Sequence, residues 1–308
     1  MKAVRIHEFG GFDKLRSEDL PVPEPGPGEV RIRVMAASVN PVDYKILHGK
    51  FLRPDALPAT LGRDVAGVVE KLGPGVSDLQ VGDEVYAMLD QEHGAFVEFV
   101  AEKAEHCAYK PTSLDFVEAA AVPLAGLTAW QGLFDNGQLQ PGQRVLIHGA
   151  AGGVGHLAVQ FARARGCEVV ATCSGEDVPF VEGLGAAVVV DYHKQRFEDL
   201  AGEVDLVFDL IGGDVQTRSW AVLKDGGALV STVQQPDEAQ AQVKQARAIV
   251  YMTQANGGEL TQIARLIDDQ EVTPEVSRVF PLDEIAEAER TLESEHVRGK
   301  IVLEVAAQ

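Results

Sequence analysis

Between Gly149 and Gly155 the chain reads Gly-Ala-Ala-Gly-Gly-Val-Gly, and the chemistry such a stretch offers is anion binding by the backbone itself. With no bulky side chain in the way, main-chain N–H groups can approach a phosphate closely. The preceding run Arg144–Ile147, reached through Pro141-Gly142, has the composition of a buried strand. After the turn, Val154, Leu157, Ala158, Phe161 and Ala162 recur at a spacing that keeps one helical face apolar. Strand, small-residue turn and helix is the order of the dinucleotide-binding fingerprint. It needs one small residue for the tight turn, a second where backbone meets pyrophosphate and a third for close packing of the helix on the sheet. Ala150, Gly152 and Gly155 hold those positions, and Gly153 and Val154 complete the expected cradle.

The end of the next apolar run, "CEVVATCS", decides which dinucleotide is expected. A carboxylate there suits the ribose hydroxyls of NAD, whereas hydroxyls or cations suit the extra phosphate of NADP. Thr172, Cys173 and Ser174 occupy the tip, with Glu176 and Asp177 just beyond. A third run ends at Asp191-Tyr192, so Ser174 and Tyr192 are the expected 2′-phosphate ligands and NADPH the expected cofactor. Asp177 works against that preference, on a segment expected to be exposed.

These residues need two architectures to carry them. The 308 residues are 45% hydrophobic, enough for two cores. Up to about Asp115, short alternating runs are broken by "PVPEPGPGE", "LGPGV" and "VGDEV", as in a small antiparallel barrel. From there "RVLIHG", "CEVVATC", "AAVVVDY", "VDLVFDL" and "GALVSTV" alternate with helical patterns, as five parallel strands of a doubly wound sheet would. The tail offers "VSRVFPL", a helix and "GKIVLEV", strands that the first sheet is suited to receive. The expected fold is α/β, with a barrel domain at 1–115 completed by 273–308 and a nucleotide-binding domain at 116–272. The net charge of −20 argues against nucleic acid or an anionic membrane as partner. Cys107, Cys167 and Cys173 form neither a disulfide framework nor a metal cluster. No apolar run is long enough to span a bilayer, and the expected location is cytoplasmic.

In order along the chain, "SVNPVDYKILHG", "LGRDVAGVVEKLG", "VGDEVYA", "GAFVEFV", "AAAVPLAGLTAWQGL", "GQRVLIHGAAGGVG", "LGAAVVVDY" and "VRGKIVL" resemble the medium-chain dehydrogenase/reductase superfamily. The likeness is strongest to its zinc-independent quinone oxidoreductase branch, which includes zeta-crystallin and alkenal reductases. The resemblance covers nearly the whole chain. It implies a GroES-like catalytic domain, an inserted Rossmann domain with NADPH as hydride donor, a substrate cleft between them, and a homodimer paired at the sheet edge near "GALVSTV". It places Thr128 near the nicotinamide. Zinc-using members have ligands at the positions that match Asn40, Arg63 and, nearby, Leu124; none of these is a plausible ligand, so no metal is expected.

Without zinc, hydrogen-bond donors must stabilise charge on the oxygen of a quinone or an α,β-unsaturated carbonyl as hydride arrives. "NPVDYK" supplies the Asn40 amide, the Tyr44 hydroxyl and the Lys45 ammonium, and the resemblance favours Asn40 and Tyr44. Arg298 or Lys300 is a candidate to offset Asp177. The expected activity is NADPH-dependent reduction of quinones or enones. The alternatives are an enoyl-thioester reductase and a non-catalytic NADPH-binding sensor or structural protein.

Overall fold

The structure is a computed structural model that describes residues 1–90 and 93–306. The chain divides into two compact units: Met1–Leu124 with Gln254–Asp269 and Pro274–Gln308, and Ala125–Thr253 with Gln270–Thr273.

In the first unit the strand Glu29–Ser38 begins with strict alternation, burying Val30, Ile32 and Val34 while Arg33 faces water. From Met35 to Ser38 every residue is buried, because this half lies at the middle of the sheet. The strand pairs antiparallel with Asp64–Leu72, Phe99–Lys103 and Lys300–Glu304. Among the described residues these belong to a seven-stranded sheet, and a three-stranded sheet is built on Lys2–Ile6. Ile32, Val65, Val85, Phe96 and Ile301 are core residues of the unit. One pair departs from the antiparallel pattern. Val276–Pro281 and Lys300–Glu304 run parallel, and the helix Ile285–Ser294 provides the crossover that a parallel pair requires.

The helix Gly257–Asp268 differs from the expected division at residue 272. It belongs to the first unit, where the Tyr86 hydroxyl donates to the Leu260 carbonyl at 2.6 Å. An added Cβ at Gly257 would lie 2.3 Å from the Cys107 carbonyl oxygen. Its amphipathic spacing predicts a buried face but not which sheet covers it.

The second unit is a six-stranded sheet. Its order is Val188–Asp191, Glu168–Cys173, Arg144–Ile147, Val204–Asp209, Leu223–Ser231 and Arg247–Val250, with every pairing parallel. The order reverses beside Arg144–Ile147, the crevice where doubly wound sheets bind nucleotides. The sixth strand is absent from the sequence-based expectation because four residues, one of them Arg247, carry too little apolar pattern. Its presence corrects the expected dimer edge: Leu223–Ser231, which contains most of "GALVSTV", is flanked on both sides and cannot offer an edge.

Gly155 opens the helix Gly155–Ala164. A Cβ there would stand 2.1 Å from the Gly149 carbonyl oxygen, so helix and turn approach as closely as they do only because the residue is glycine. Gly155→Ala should destabilise the second unit by about 1–3 kcal/mol, the usual cost of overpacking, read by urea unfolding. Wild-type stability in this variant would show that the turn relaxes freely.

Candidate functional site

The nucleotide turn has the shape its sequence implies. Ala150 is fully buried and donates its N–H to the Thr172 carbonyl at 3.0 Å, tying the turn to the neighbouring strand. Gly152, Gly153 and Val154 are half-exposed. A Cβ at Gly152 would meet only the Gly149 carbonyl oxygen, at 3.5 Å. The helix that follows has Val154 as its cap residue and no side-chain cap. Its positive end is therefore not covered by a side chain of its own. These residues fit a dinucleotide pyrophosphate.

The strand tips are arranged differently from the expectation. Ser174 donates its hydroxyl to Asp177 at 2.9 Å, and Asp177 is 1% exposed rather than solvated. The carboxylate thus turns inward and takes up the hydroxyl expected to face a 2′-phosphate. Tyr192 is exposed, stacked obliquely on His193. Lys194, absent from the expectation, is 2.9 Å from Asp191, and its ammonium would be 3.4 Å from a Cβ on Gly175. A lone lysine three residues beyond an expected strand end has no distinguishing sequence signal. Thr128 shares a hydrogen bond with Thr253 at 2.7 Å, and its carbonyl accepts from Tyr251. Buried His148 sits between Thr172 at 3.0 Å and Ser219 at 2.8 Å, and burial pushes its pKa down to about 4, so it bonds as a neutral ring.

In the first unit, "NPVDYK" forms the start of the helix Pro41–Leu47. Asn40 is not an open donor. Its amide donates to Asp64 at 2.7 Å and to the Ser38 carbonyl at 3.4 Å, and its carbonyl accepts from Lys300 at 2.5 Å. Both amide hydrogens are engaged inside the protein, where the expectation had the amide open to a substrate oxygen. Lys300 is buried and also donates to the Val39 carbonyl at 2.8 Å. It is thus spent within the first unit rather than on offsetting Asp177; Arg298, two residues earlier, belongs to the same unit. The Asp43 carboxylate accepts N–H groups from Asn40 at 2.8 Å and Gly62 at 3.1 Å. Burial, offset in part by those bonds, raises its pKa to about 7.

Tyr44 and Lys45 differ in what surrounds them. Burial raises the Tyr44 pKa, and Glu293 and Glu289 add to it, so the phenol keeps its proton beside acidic groups. Burial, with Lys50 adding to it, lowers the pKa of Lys45. Among the described residues no carboxylate pairs with Lys45.

Residues 26–130 match the alcohol dehydrogenase GroES-like domain model, and residues 184–303 match a model described as zinc-binding dehydrogenase. The chain is 37% identical to the chloroplastic NADPH-dependent alkenal/one oxidoreductase of Arabidopsis thaliana, over 98% of its own length and 79% of the relative's. The quinone oxidoreductase of Coxiella burnetii superposes with a TM-score of 0.91 at 36% identity, covering 99% of each chain. Escherichia coli quinone oxidoreductase, solved with NADPH, gives 0.89 at 26% identity over 99% of this chain and 100% of that one. The chain belongs to the medium-chain dehydrogenase/reductase superfamily, in its quinone oxidoreductase branch. It is an oxidoreductase with a GroES-like domain and a Rossmann domain.

The zinc in the description of one superfamily model finds no fitting residues at the corresponding positions. Asn40 is committed to Asp64 and Lys300, Arg63 is a cation, and Leu124 has an aliphatic side chain with no ligand atom, its backbone N–H being donated to Asp64 at 2.6 Å. Elsewhere in this oxidoreductase Asp90, Glu102 and His106 place ligand atoms within 4.8 Å of one another. The Glu102 carboxylate is already satisfied by His106 at 2.8 Å and by the N–H groups of Lys103 at 2.9 Å and Asp90 at 3.1 Å. The three cysteines are buried free thiols.

Sequence reasoning missed Glu289. It is fully buried, and neither carboxyl oxygen has a hydrogen-bond partner. Burial, with Asp43 adding to it, raises its pKa well above 4.5. Charge alternation on an amphipathic helix gives no hint of this, because the residue is buried only once that helix packs on the sheet. The folded state therefore keeps a proton that the unfolded chain releases above about 4.5, and stability falls as pH rises from there towards the folded pKa. Glu289→Gln, which has no proton to lose, should be more stable than wild type by several degrees in melting temperature. The gap should widen in calorimetry as pH rises from about 5 towards the raised folded pKa. A gap independent of pH would mean that Glu289 is ionised in the folded protein.

Proposed function

We propose that the protein is an NADPH-dependent, zinc-independent reductase of quinones or α,β-unsaturated carbonyls. The observation that carries this reading is the open glycine turn at Gly152 with an uncapped helix behind it. It is joined to a 37% likeness, over 98% of the chain, to a relative named as an NADPH-dependent alkenal/one oxidoreductase. When bound, the reduced nicotinamide supplies hydride to the substrate. Gly152, Gly153, Val154 and Gly155 hold the pyrophosphate, and Thr128 borders the nicotinamide. Lys194 and Tyr192 read the 2′-phosphate, while the Ser174 hydroxyl is taken up by Asp177. The cytoplasmic location and homodimer remain part of the proposal. Three free, buried thiols and the open strand Arg247–Val250 with exposed Val243 and Met252 support them.

Hydride addition to the β-carbon of an enone leaves an enolate that needs a hydrogen-bond donor at oxygen and a proton at the α-carbon. Tyr44 and Lys45 are the donors offered by the helix Pro41–Leu47. Burial weakens the hold of Lys45 on its proton, and among the described residues no carboxylate pairs with it, whereas burial and nearby acids strengthen that of Tyr44; Lys45 is therefore the proposed acid. A quinone takes its charge on oxygen and has less need of a carbon acid.

Two measurements test this reading. Losing one hydrogen bond to a charged phosphate costs about 1.5–3 kcal/mol, so Lys194→Ala should weaken NADPH binding by roughly ten-fold or more and leave NADH unchanged. Equal losses for both cofactors would remove Lys194 from the phosphate. Lys45→Met should slow stopped-flow reduction of an enone by about ten-fold or more, with a smaller effect on a naphthoquinone. Equal rates with the wild type on both substrates would make Lys45 a bystander.

A further inference from the structure

The first unit contains a cavity of about 670 Å³, within the size range of small-molecule sites. Its charged lining is the reverse of the chain's composition. The sequence carries 47 acidic against 27 basic residues. Yet Arg5, Arg53, Arg63 and His93 line the cavity, and among the described residues Asp43 is the one carboxylate that does. Arg53 is a rim group, its side chain 86% exposed and 3.5 Å from Asp55. Arg5 lies deeper, donating to the Pro58 carbonyl at 2.7 Å and standing 3.7 Å from Glu18. Burial works against the charge of Arg63, which Asp43, Asp64, Asp90 and Glu102 favour from a distance; among the described residues none of them pairs with it. The Nε of Arg5 and that of Arg63 are both buried with no hydrogen-bond partner. Both guanidinium groups have thus lost water without a full replacement for it.

The nearby acids are engaged elsewhere. Asp43 accepts two backbone N–H groups, and Asp64 accepts from Ser38, Asn40 and Leu124. Asp90 and Glu102 flank the Nδ1 of His93 at 3.3 and 3.5 Å and, Glu102 foremost, raise its pKa, which adds positive character to the lining. Arg5 faces Glu18 and Arg53 faces Asp55. Arg63 is therefore the lining cation left without a paired acid, and a surplus of one charge suits a monoanion better than a phosphate dianion. A carboxylate matches the flat edge of a guanidinium with two parallel hydrogen bonds. It also gains more from a partly desolvated cation than from one in water. Ile46, Leu52 and Phe99 supply apolar walls, which a bare inorganic anion cannot use. We infer that this cavity is a binding site for an organic monocarboxylate, anchored by Arg63, with Arg5 adding to the attraction and the hydrocarbon part lying against Ile46 and Phe99. The inference goes beyond the reductase reading and does not rest on it.

The test titrates benzoate, its uncharged isostere benzamide and inorganic phosphate against the full-length protein, with binding read by calorimetry. Benzoate should bind about ten-fold or more tightly than benzamide, the scale of a charge-assisted hydrogen bond, and phosphate should bind more weakly than benzoate. Arg63→Met should lose about ten-fold or more in benzoate affinity and less in benzamide affinity, and Arg63→Lys, which keeps the charge but not the fork, should recover part of the loss. Ile46→Trp narrows the cavity with both arginines in place and should weaken benzoate and benzamide alike. Benzamide bound as tightly as benzoate, or phosphate bound more tightly than benzoate, overturns the inference. So does a benzoate affinity unchanged in Arg63→Met or in Ile46→Trp, which would move the anion to another surface such as the open turn at Gly152. If Arg63→Met does not fold, Arg63→Lys and Ile46→Trp decide the matter, and benzoate must weaken in both. NADPH oxidation with enones and quinones tests the reductase reading separately, and neither result depends on the other.

Discussion

The first unit is organised around one buried cation. Lys300 reaches the sheet interior from a strand near the chain's end and meets the Val39 carbonyl, the Asn40 side chain and, at 3.8 Å, Asp64. Burying an ammonium is costly unless charge and hydrogen bonds compensate, and here both come from strands that must first be in register. Asp64 is used several times over, accepting from Ser38 at 2.6 Å, from Asn40 at 2.7 Å and from the Leu124 N–H at 2.6 Å. One carboxylate thereby ties two central strands and the end of the unit to the C-terminal strand that carries Lys300. Removal of any member leaves its direct partners short of one buried hydrogen bond or charge contact.

This arrangement occupies positions that, by the resemblance, match the zinc ligands of zinc-using members. A tetrahedral zinc needs anionic or neutral lone pairs aimed at one point. Asn40 aims its carbonyl at an ammonium and its amide at a carboxylate, so hydrogen bonds hold together what a metal would otherwise organise. Asp43 and Glu289 are the price of packing so many acids around Lys300. Both carboxyls have raised pKa values because burial penalises their charge, and each lies near other acidic groups. Arg63 is the complementary case, a cation steadied by acids it does not touch.

The second unit follows a simpler logic in which absence of side chains is the main device. Gly155 lets the helix close on the turn, and Gly152 leaves room for a ligand. Around that gap the strand ends carry Asp177 and Asp191 as carboxylates and Lys194 as cation. On the proposed reading, cofactor preference rests on the balance among these charges and not on a single tip residue.

The nucleotide turn was legible in the sequence because its determinants are local: small residues at fixed offsets, an apolar strand before them and a helical period after. The same holds for the alternating strands of the first unit and for most of the parallel sheet, since pleat and helix periods are properties of consecutive residues. The short strand Arg247–Val250 and the allegiance of the helix Gly257–Asp268 were not legible, because a period reveals a buried face but not the partner that buries it. Nor was the state of the polar side chains. Asn40 and Lys300 stand 260 residues apart and share a hydrogen bond; Ser174 and Asp177 stand three apart, yet which way the carboxylate turns depends on the strands around it. Residue type determines which donors and acceptors a chain possesses. Only tertiary structure decides which are used up internally, as Asn40 is, and which are left available, as Lys45 and Arg63 are, because burial and pairing follow from contacts distant in sequence.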